Sequence, residues 1–407
     1  MRIIVQKFGG SSIANVESIL RCVEHVKHAQ EEGFDHIAVV VSAMGRLGSP
    51  YATDTLLSLL QPEILLPRRE RDLLLATGEL ISACVFSNFL FQQGIANRVL
   101  TGGQAGIVTN NNYGEARIID LQPKRVSEEF KKGNVVIVTG FQGMTTEGEL
   151  TTLGRGGSDT SATALGVALR AEIVDIFTDV EGVYTADPRI VEEARPISAI
   201  TYYEICNLAH LGAKVIHPRA VEIAMQASIP IRVRSTFSNN KGTLVTNMTE
   251  IESIESGVKD GNLITGITQS PRVTQIKISQ ENNGENIQLS VFKAMKDNQI
   301  SVDFINVYPK GVTYTVSEAN TGEAVEVLKK MGCNYSIREH CAKVSVVGAN
   351  MAGVPGVMSL VMDALCEERI EVYQSADSHT TIWVLIKDED MVKAVKSLHK
   401  KFGLDRS

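Results

Sequence analysis

Short apolar runs alternate with longer segments of helical periodicity along the first part of the chain. The runs are rich in β-branched residues and cover Ile3–Val5, Ile37–Val41, Val135–Val138, Ile173–Phe177 and Ile231–Val233. Between them, apolar residues recur at helical spacing over Ile19–Gln30, Glu79–Gln93 and Thr160–Leu169. Strands that are apolar throughout are typical of a largely parallel sheet with helices on both faces. We therefore predict a three-layer α/β domain over residues 1–245.

A polar segment follows this domain. Residues 246–262 are rich in Glu and Ser and end near Lys259-Asp260-Gly261. This composition is typical of a linker between domains.

The rest of the chain repeats itself at a constant offset, as from Val291 to Val361. The matching pairs are Val291–Met295 with Val361–Leu365, Ile300–Val302 with Ile370–Val372, and Val312–Tyr314 with Ile382–Val384. Each copy has the pattern of a strand, a helix and two strands, and a chance match between two helices would not keep the flanking strands in register. We predict two ferredoxin-like βαββ units, over residues 263–335 and 341–407.

Composition then narrows the possible partners. The formal net charge of -7 comes from intermixed acids and bases, with no Lys/Arg run that would follow a nucleic-acid backbone. The six cysteines are scattered, without a CxxC pair or metal-ligand spacing, and are expected to be reduced thiols. We expect neither a nucleic-acid partner nor a metal site built from protein ligands.

The apolar segments also predict a location. Met1–Val5 leads directly into a polar, glycine-rich turn, and this stretch is shorter than the apolar part of a secretory signal. No apolar run approaches the roughly 20 residues of a membrane span. We expect a cytoplasmic protein.

The first of three glycine-rich segments follows the opening strand and reads Lys7-Phe8-Gly9-Gly10-Ser11-Ser12. Paired glycines let the backbone approach phosphate oxygens, the next helix N-terminus favours anions, and Lys7 adds a positive charge. The segment fits a phosphate-binding loop, although a purely structural Gly-Gly turn is the alternative. The sequence contains no P-loop and no protein-kinase HRD or DFG motif.

The second segment, Thr152–Ser161, again leads into a helix. Arg155 stands among three glycines, where its guanidinium group can reach a carboxylate. Ser158 and Asp159 lie at the predicted helix N-terminus, and the simpler interpretation of both is an N-cap.

The third segment, Phe177–Arg189, ends an apolar strand, and ligands of parallel sheets bind at the carboxyl ends of strands. Taken alone, a turn built on Glu-Gly and Asp-Pro is the favoured interpretation.

Together with Gly140–Gly143 and Gly212–Arg219, these segments closely resemble the motifs of the aspartate kinases in the amino-acid kinase superfamily. The resemblance covers the whole chain, because the repeat is similar to the tandem ACT domains of that family. The stretch Ser375–Trp383 further resembles the diaminopimelate-sensitive class of Bacillus-like bacteria.

The resemblance implies a set of site residues. Lys7, Asp159 and Lys214 would act in phosphoryl transfer. The nucleotide ATP, with Mg²⁺ on its phosphates, would contact Lys7, Phe8, Gly9, Gly10, Thr178, Asp179, Tyr184, Arg189, Lys214 and Val215. L-aspartate would contact Ser42, Thr53, Glu79, Arg155, Gly156, Gly157 and Ser158, with Arg155 on its α-carboxylate and Glu79 on its α-amino group. Without that resemblance, Glu79 would be an ordinary acid of a first helical turn.

The acceptor implied by the resemblance is a carboxylate, whose ordinary pKa of about 3.9 leaves it ionised at neutral pH. No general base is then required, and catalysis depends on positioning and charge stabilisation. His217, which precedes a proline, is interpreted as a structural turn residue.

The resemblance also implies feedback by an amino acid, namely diaminopimelate, lysine or threonine, and a homodimer formed through ACT pairing. The second copy carries an effector-type loop, Ala352–Val357, whereas Gln280–Asn286 of the first copy lacks it. Which copy binds the effector stays open.

Two other functions are weighed. A glutamate or carbamate kinase of the same superfamily would lack tandem ACT repeats. A catalytically silent amino-acid sensor is disfavoured by the joint presence of Lys7, Arg155, Asp179 and Lys214.

Overall fold

The chain forms two compact units in a computed structural model that describes residues 1–61, 64, 66–212, 215–249, 251, 263–279, 287–349, 351 and 353–406. The first unit contains Met1–Val183, Pro196–His210 and Lys214–Lys259, and the second contains Tyr184–Arg195, Leu211–Ala213 and Asp260–Ser407. The units therefore interleave along the sequence. Residues 250 and 252–262, most of the predicted linker, lie outside the described residues.

Strands of the first unit form two sheets. They are β1 (Ile3–Phe8), β2 (His36–Val41), β3 (Asn97–Leu100), β4 (Ile107–Thr109), β5 (Ile118–Leu121), β6 (Val135–Thr139), β7 (Gln142–Thr145), β8 (Leu150–Thr152), β9 (Ile173–Thr178), β10 (Ala199–Thr201), β11 (Ile231–Ser235) and β12 (Thr243–Thr246). The central sheet has the order β10-β12-β11-β9-β1-β2-β6-β3, and the smaller sheet has the order β5-β4-β7-β8. Every neighbouring pair of the central sheet is parallel except β11 with β12. The predicted, largely parallel sheet is confirmed.

Helices cover both faces of the central sheet. They are α1 (Val16–Glu31), α2 (Thr53–Leu57), α3 (Arg68–Gln92), α4 (Lys124–Lys131), α5 (Gly157–Leu169), α6 (Tyr202–His210) and α7 (Pro218–Ala227). On one face, Phe8 packs against Phe86 of α3 and stacks on Phe177, with ring centroids 5.6 and 4.8 Å away. Val5 points to the other face, where Gly166 of α5 approaches it and Val174. Side-chain alternation along β1 thus builds the three predicted layers.

Helix α3 has 25 residues and is long and apolar enough, by length and composition, to cross a membrane. The apolar runs of the sequence predicted no segment of this length. Two of its carboxylates, Asp72 and Glu79, are nevertheless buried, and Phe86 and Leu90 belong to the apolar core of the first unit. It is packed as a core helix.

The second unit is built on one six-stranded sheet, in the order β14-β15-β13-β16-β18-β17. Its strands are β13 (Gly266–Ser279), β14 (Asp303–Tyr308), β15 (Gly311–Ser317), β16 (Asn334–Val347), β17 (Gln374–Asp377) and β18 (Thr381–Lys387). Its helices are α8 (Ile287–Asp297), α9 (Thr321–Lys330), α10 (Val357–Glu367) and α11 (Met391–Lys401).

The internal repeat is visible in these bounds. Helices α8 and α10 begin at Ile287 and Val357, and strands β15 and β18 begin at Gly311 and Thr381, the same 70-residue offset in both cases (357 − 287 and 381 − 311). Each copy also has a further helix, α9 or α11, which the predicted βαββ pattern did not include.

A segment from the first half of the chain, residues 184–195, packs within the second unit. Ala186 and Val191 are buried in an apolar cluster with Ile267 of β13. The Thr185 hydroxyl lies 2.9 Å from Nε2 of His399 in α11, and the Arg195 guanidinium group donates to a backbone carbonyl in the C-terminal turn. We call residues 184–195 the strap.

Candidate active site

Lys7 and Asp159 form an ion pair at the carboxyl end of the central strands. Lys7 Nζ lies 2.7 Å from Asp159 Oδ1, and both side chains are only 12% exposed. Asp159 stands in the first turn of α5, where the helix dipole also favours its negative charge. The Lys7 ammonium group is therefore held in place close to the backbone of Gly9, since a Cβ there would lie 3.4 Å from Nζ.

The loops that follow β1 and β2 pack closely against each other. A Cβ on Gly10 would lie 2.6 Å from the carbonyl oxygen of Gly45 and 2.7 Å from that of Ala43. The Gly45 amide donates to the Gly10 carbonyl at 2.9 Å, and the Ser42 amide donates to Phe8 at 3.1 Å. Gly10 is thus required for contact between the two loops, and Ser42 lies beside the Lys7 loop.

Phe8 contributes to the apolar core. Its side chain is fully buried between Phe86 and Phe177. Only the backbone of Phe8 is therefore available for the contact with nucleotide that the resemblance implies.

Glu79 lies beneath the loop that follows β2. Its Oε1 accepts a hydrogen bond of 3.0 Å from the Ala43 amide, and the residue is 2% exposed. Among the described residues, Oε2 is buried without a hydrogen-bond partner. Burial raises the pKa of this carboxyl to about 8. A buried carboxyl group with a free oxygen is a suitable partner for a ligand ammonium group.

Two helical residues of the predicted substrate set lie near this region. Thr53 begins α2 and is half-buried. The next turn of α2 packs on α3, because a Cβ on Gly78 would lie 3.3 Å from Leu56 Cδ1. Ser158 is buried at the start of α5, against Gly140.

Arg155 is exposed on a loop whose shape depends on glycine. Gly154 and Gly156 have φ of +75° and +66°, and a Cβ on Gly156 would lie 2.2 Å from the His217 ring. A Cβ on Gly157 would lie 2.8 Å from the Phe141 ring. Among the described residues, the Arg155 side chain makes no ion pair, so its guanidinium group is free for a ligand.

His217 links two helices. Its amide donates to Asp159 Oδ2 at 3.3 Å, and its ring Nδ1 accepts from the Arg219 amide as the N-cap of α7. This agrees with its prediction as a structural turn residue.

The end of β9 adds a second, more exposed ion pair. Asp179 Oδ2 lies 2.6 Å from Arg46, and Asp179 Oδ1 accepts from the Thr178 hydroxyl at 3.1 Å. Sequence reasoning missed Arg46, whose only signal was a position between two glycines in the loop after β2.

Two residues of the predicted nucleotide set belong to the second unit, and a third lies outside the described residues. Tyr184 and Arg189 belong to the strap in the second unit. The Arg189 side chain is 87% exposed and donates two hydrogen bonds to Asp187, which lower the pKa of that carboxyl. Lys214 lies outside the described residues, and the adjacent Val215 is half-buried.

Asp72, which sequence reasoning also missed, binds the residues that lead into the Arg155 loop. This fully buried carboxylate accepts from the Thr152 amide and hydroxyl, both at 2.8 Å, and from the Gly114 amide at 2.9 Å. An acid within a helical pattern gave no signal of this role. It fixes the end of β8 directly before the loop.

No group of three His, Cys, Asp or Glu side chains suited to a metal ion occurs in the described part of the chain. Asp159 and Asp179 are each already paired with a cation. A Mg²⁺ at this position would therefore be held mainly by phosphate oxygens of the nucleotide and by water.

Comparisons with known proteins agree with this architecture. A model of the amino acid kinase family matches residues 2–235, and an ACT domain model matches residues 336–400. Aspartokinase 1 of Bacillus subtilis is 52% identical over the full length of both chains. An aspartokinase of Geobacillus stearothermophilus is 39% identical over 99% of this chain and 98% of its own.

Solved structures give the same result. Aspartokinase III of E. coli in complex with aspartate and ADP superposes with a TM-score of 0.79, at 25% identity over 98% of this chain and 99% of its own. The same enzyme in complex with lysine and aspartate gives 0.77, with the same identity and coverage.

Proposed function

Because the chain belongs to the aspartokinases of the amino acid kinase family, we propose that it transfers a phosphoryl group from ATP to the side-chain carboxylate of L-aspartate. Aspartokinases are phosphotransferases with a carboxyl group as acceptor. The products are 4-phospho-L-aspartate and ADP. The observation that carries this proposal is the Lys7–Asp159 pair, which holds a cation at the carboxyl end of the parallel strands, where an anionic ligand is expected.

Lys7 offsets the repulsion between the two anions that react. The acceptor carboxylate is ionised at neutral pH, so no proton has to be removed from it. His217, whose amide donates to Asp159, is used as a helix cap. Catalysis rests on positioning and on charge stabilisation by Lys7, with Lys214 proposed as the second cation.

The aspartate site is proposed around Arg155 and Glu79. Arg155 takes the α-carboxylate, and the free Oε2 of Glu79 takes the α-ammonium group. Ser42 and Thr53 add hydroxyl contacts, and Gly156, Gly157 and Ser158 form the wall at the start of α5. The support is the free guanidinium group, the free carboxyl oxygen and the proximity of Ser42 to the Lys7 loop.

For the nucleotide, we propose contacts with the backbone of Phe8, Gly9 and Gly10, and with Thr178 and Asp179. Tyr184, Arg189, Lys214 and Val215 are proposed on the resemblance alone. When bound with the nucleotide, Mg²⁺ would neutralise phosphate charge.

The second unit is proposed to sense an amino acid and to pair with its counterpart in a homodimer. The E. coli enzyme has been solved with lysine, and diaminopimelate and threonine are the other candidates. Such feedback suits the first step toward diaminopimelate, lysine, threonine and methionine in the cytoplasm. Residues 280–286 of the first copy and Ala352 in the effector-type loop of the second copy lie outside the described residues.

Trapping of the product tests the reaction. The purified chain is incubated with ATP, Mg²⁺ and hydroxylamine, and the hydroxamate is measured with aspartate or glutamate as acceptor. We expect aspartyl hydroxamate only, and a decrease when one of the three amino-acid effectors is added. Glutamyl hydroxamate would favour the glutamate kinase alternative, and no hydroxamate with either acceptor would favour a silent sensor.

A further inference from the structure

A cleft of about 560 Å³ opens beside Arg155, entirely within the first unit. Three arginines line it, Arg117, Arg155 and Arg219, against two glutamates, Glu115 and Glu222. With neutral histidines, the formal charge of this lining is therefore +1. The cleft is suited to a small anion that also carries a positive group.

Two of the three guanidinium groups are free. Among the described residues, Arg117 and Arg155 make no side-chain ion pair or hydrogen bond, although Glu115 and Glu222 line the same cleft. Glu222 lies 3.8 Å from His210 instead. Because the lining is net positive and neither guanidinium group is paired among the described residues, a bound anion would be stabilised there.

The third arginine sets the spacing of the other two. Arg219 donates to the Ala116 carbonyl, at 3.3 Å from both terminal nitrogens, and to the Leu153 carbonyl at 3.5 Å. Ala116 precedes Arg117, and Leu153 lies two residues before Arg155. Arg219 thus joins the two backbone segments from which the free guanidinium groups project.

Other backbone contacts hold the same two segments. The Ala116 amide donates to the Thr152 carbonyl at 2.9 Å, and the Arg117 amide donates to Asn110 Oδ1 at 3.0 Å. The position of Arg117 therefore does not depend on a flexible loop end. The backbone segments that carry the two arginines are thus held together, which lowers part of the ordering cost of binding an anion.

We propose that Arg117 is a second binding residue for the α-carboxylate of aspartate, acting beside Arg155, and that Arg219 is the positioning residue for both. This inference rests on the proposed function and extends its substrate site. His217 lines the cleft and donates its amide to Asp159, so the cleft adjoins the Lys7–Asp159 pair, and Arg117 is assigned to the end of aspartate that does not react.

The test compares Arg117→Gln, Arg117→Lys and Arg155→Gln, with Arg125→Gln as control. Arg125 is an exposed arginine of α4 in the same unit. Steady-state kinetics give KM for aspartate, KM for ATP and kcat, at low and high salt. Because Arg117 is exposed, we expect Arg117→Gln to raise KM for aspartate about three- to tenfold, with a smaller change in KM for ATP. Salt should weaken the difference, and Arg117→Lys should restore part of the affinity.

The positioning role has its own measurement. Arg219→Gln should raise KM for aspartate at least as much as Arg117→Gln does, because it positions Arg155 as well. The double variant Arg117→Gln/Arg219→Gln should raise KM by less than the product of the two single effects, because both changes weaken the Arg117 contact. Thermal unfolding identifies any loss of folding in Arg219→Gln. Because Arg117 is exposed, we expect its variants to keep the Tm of the wild-type chain, which the same measurement checks.

Each outcome is decisive. If Arg155→Gln raises KM for aspartate and Arg117→Gln leaves it at the Arg125→Gln value, the inference is wrong and the proposed function stands. If neither variant changes KM for aspartate, the proposed substrate site is wrong as well.

Discussion

Lys7 at the end of β1 and Asp159 at the start of α5 form a 2.7 Å ion pair between two elements that are far apart in sequence. The pair joins the glycine-rich loop after the first strand to the helix that follows Arg155. It thereby brings together the proposed phosphate loop and the proposed substrate loop.

Removal of the ammonium group should affect turnover more than affinity. We expect Lys7→Ala to lower kcat about 10²- to 10³-fold, because a fixed charge that stabilises the transition state is lost. KM for aspartate should change much less, because Lys7 is not proposed to hold the α-groups. Near-normal turnover in Lys7→Ala, with Arg125→Gln as the reference variant, would contradict the mechanism.

Glu79 should make aspartate binding dependent on pH. Burial raises its pKa to about 8, so the carboxyl group is largely protonated below that pH in the free enzyme. The ionised form is the better partner for the substrate ammonium group. We expect kcat/KM for aspartate to rise with pH toward 8 and this rise to be lost in Glu79→Gln. A rising limb that persists unchanged in Glu79→Gln would assign it to another group.

The same raised pKa predicts a change of stability with pH. The folded state retains a proton that the unfolded state releases near the ordinary value of 4.5. Stability from this group is therefore fully present below pH 4.5 and is lost as pH rises toward about 8, by at most about 1.4 kcal/mol per pH unit. The Tm of the wild-type chain should fall more steeply over this window than that of Glu79→Gln. Parallel curves would show that Glu79 titrates normally.

Gly156 should be essential to the shape of the Arg155 loop. In Gly156→Ala, the added Cβ would meet the His217 ring at 2.2 Å and the backbone would be strained at φ +66°. We expect a destabilisation of about 2–4 kcal/mol in urea unfolding and a raised KM for aspartate. Gly148→Ala is the matched control, because Gly148 has φ +87° with open space around its Cβ position. Equal losses in the two variants would mean that strain alone, not the contact with His217, decides the effect.

The local signals of the sequence predicted the fold well. Apolar runs such as Ile37–Val41 became buried parallel strands, and the repeat appeared with its offset unchanged, because both depend on periodicity within a short segment. The first two glycine-rich segments do lie after β1 and before α5, as their pattern predicted. Gly10 has a further reason that the sequence did not show, since it is needed for packing against the loop after β2.

What the sequence did not show are contacts between distant segments. Asp72, Arg46 and Arg219 give no local pattern, because their partners lie on other strands and loops. The burial of Glu79 was hidden for the same reason. The first half of the strap lies in the segment Phe177–Arg189, for which a turn was the favoured interpretation. Apolar residues of the strap such as Val191 pack in the core of the second unit, which that interpretation did not include.

The strap has a consequence for the order in which the chain can be completed during synthesis. Thr185 leaves the ribosome long before His399, yet the two side chains contact each other in the folded second unit. Ala186 and Val191 gain their core partners from β13, β16 and α11 only as these elements emerge in turn, and the cluster is complete only with α11. The strap therefore stays without its complete core while the C-terminal part of the chain is being synthesised. A fragment that ends at residue 259 would leave the apolar residues of the strap without that core.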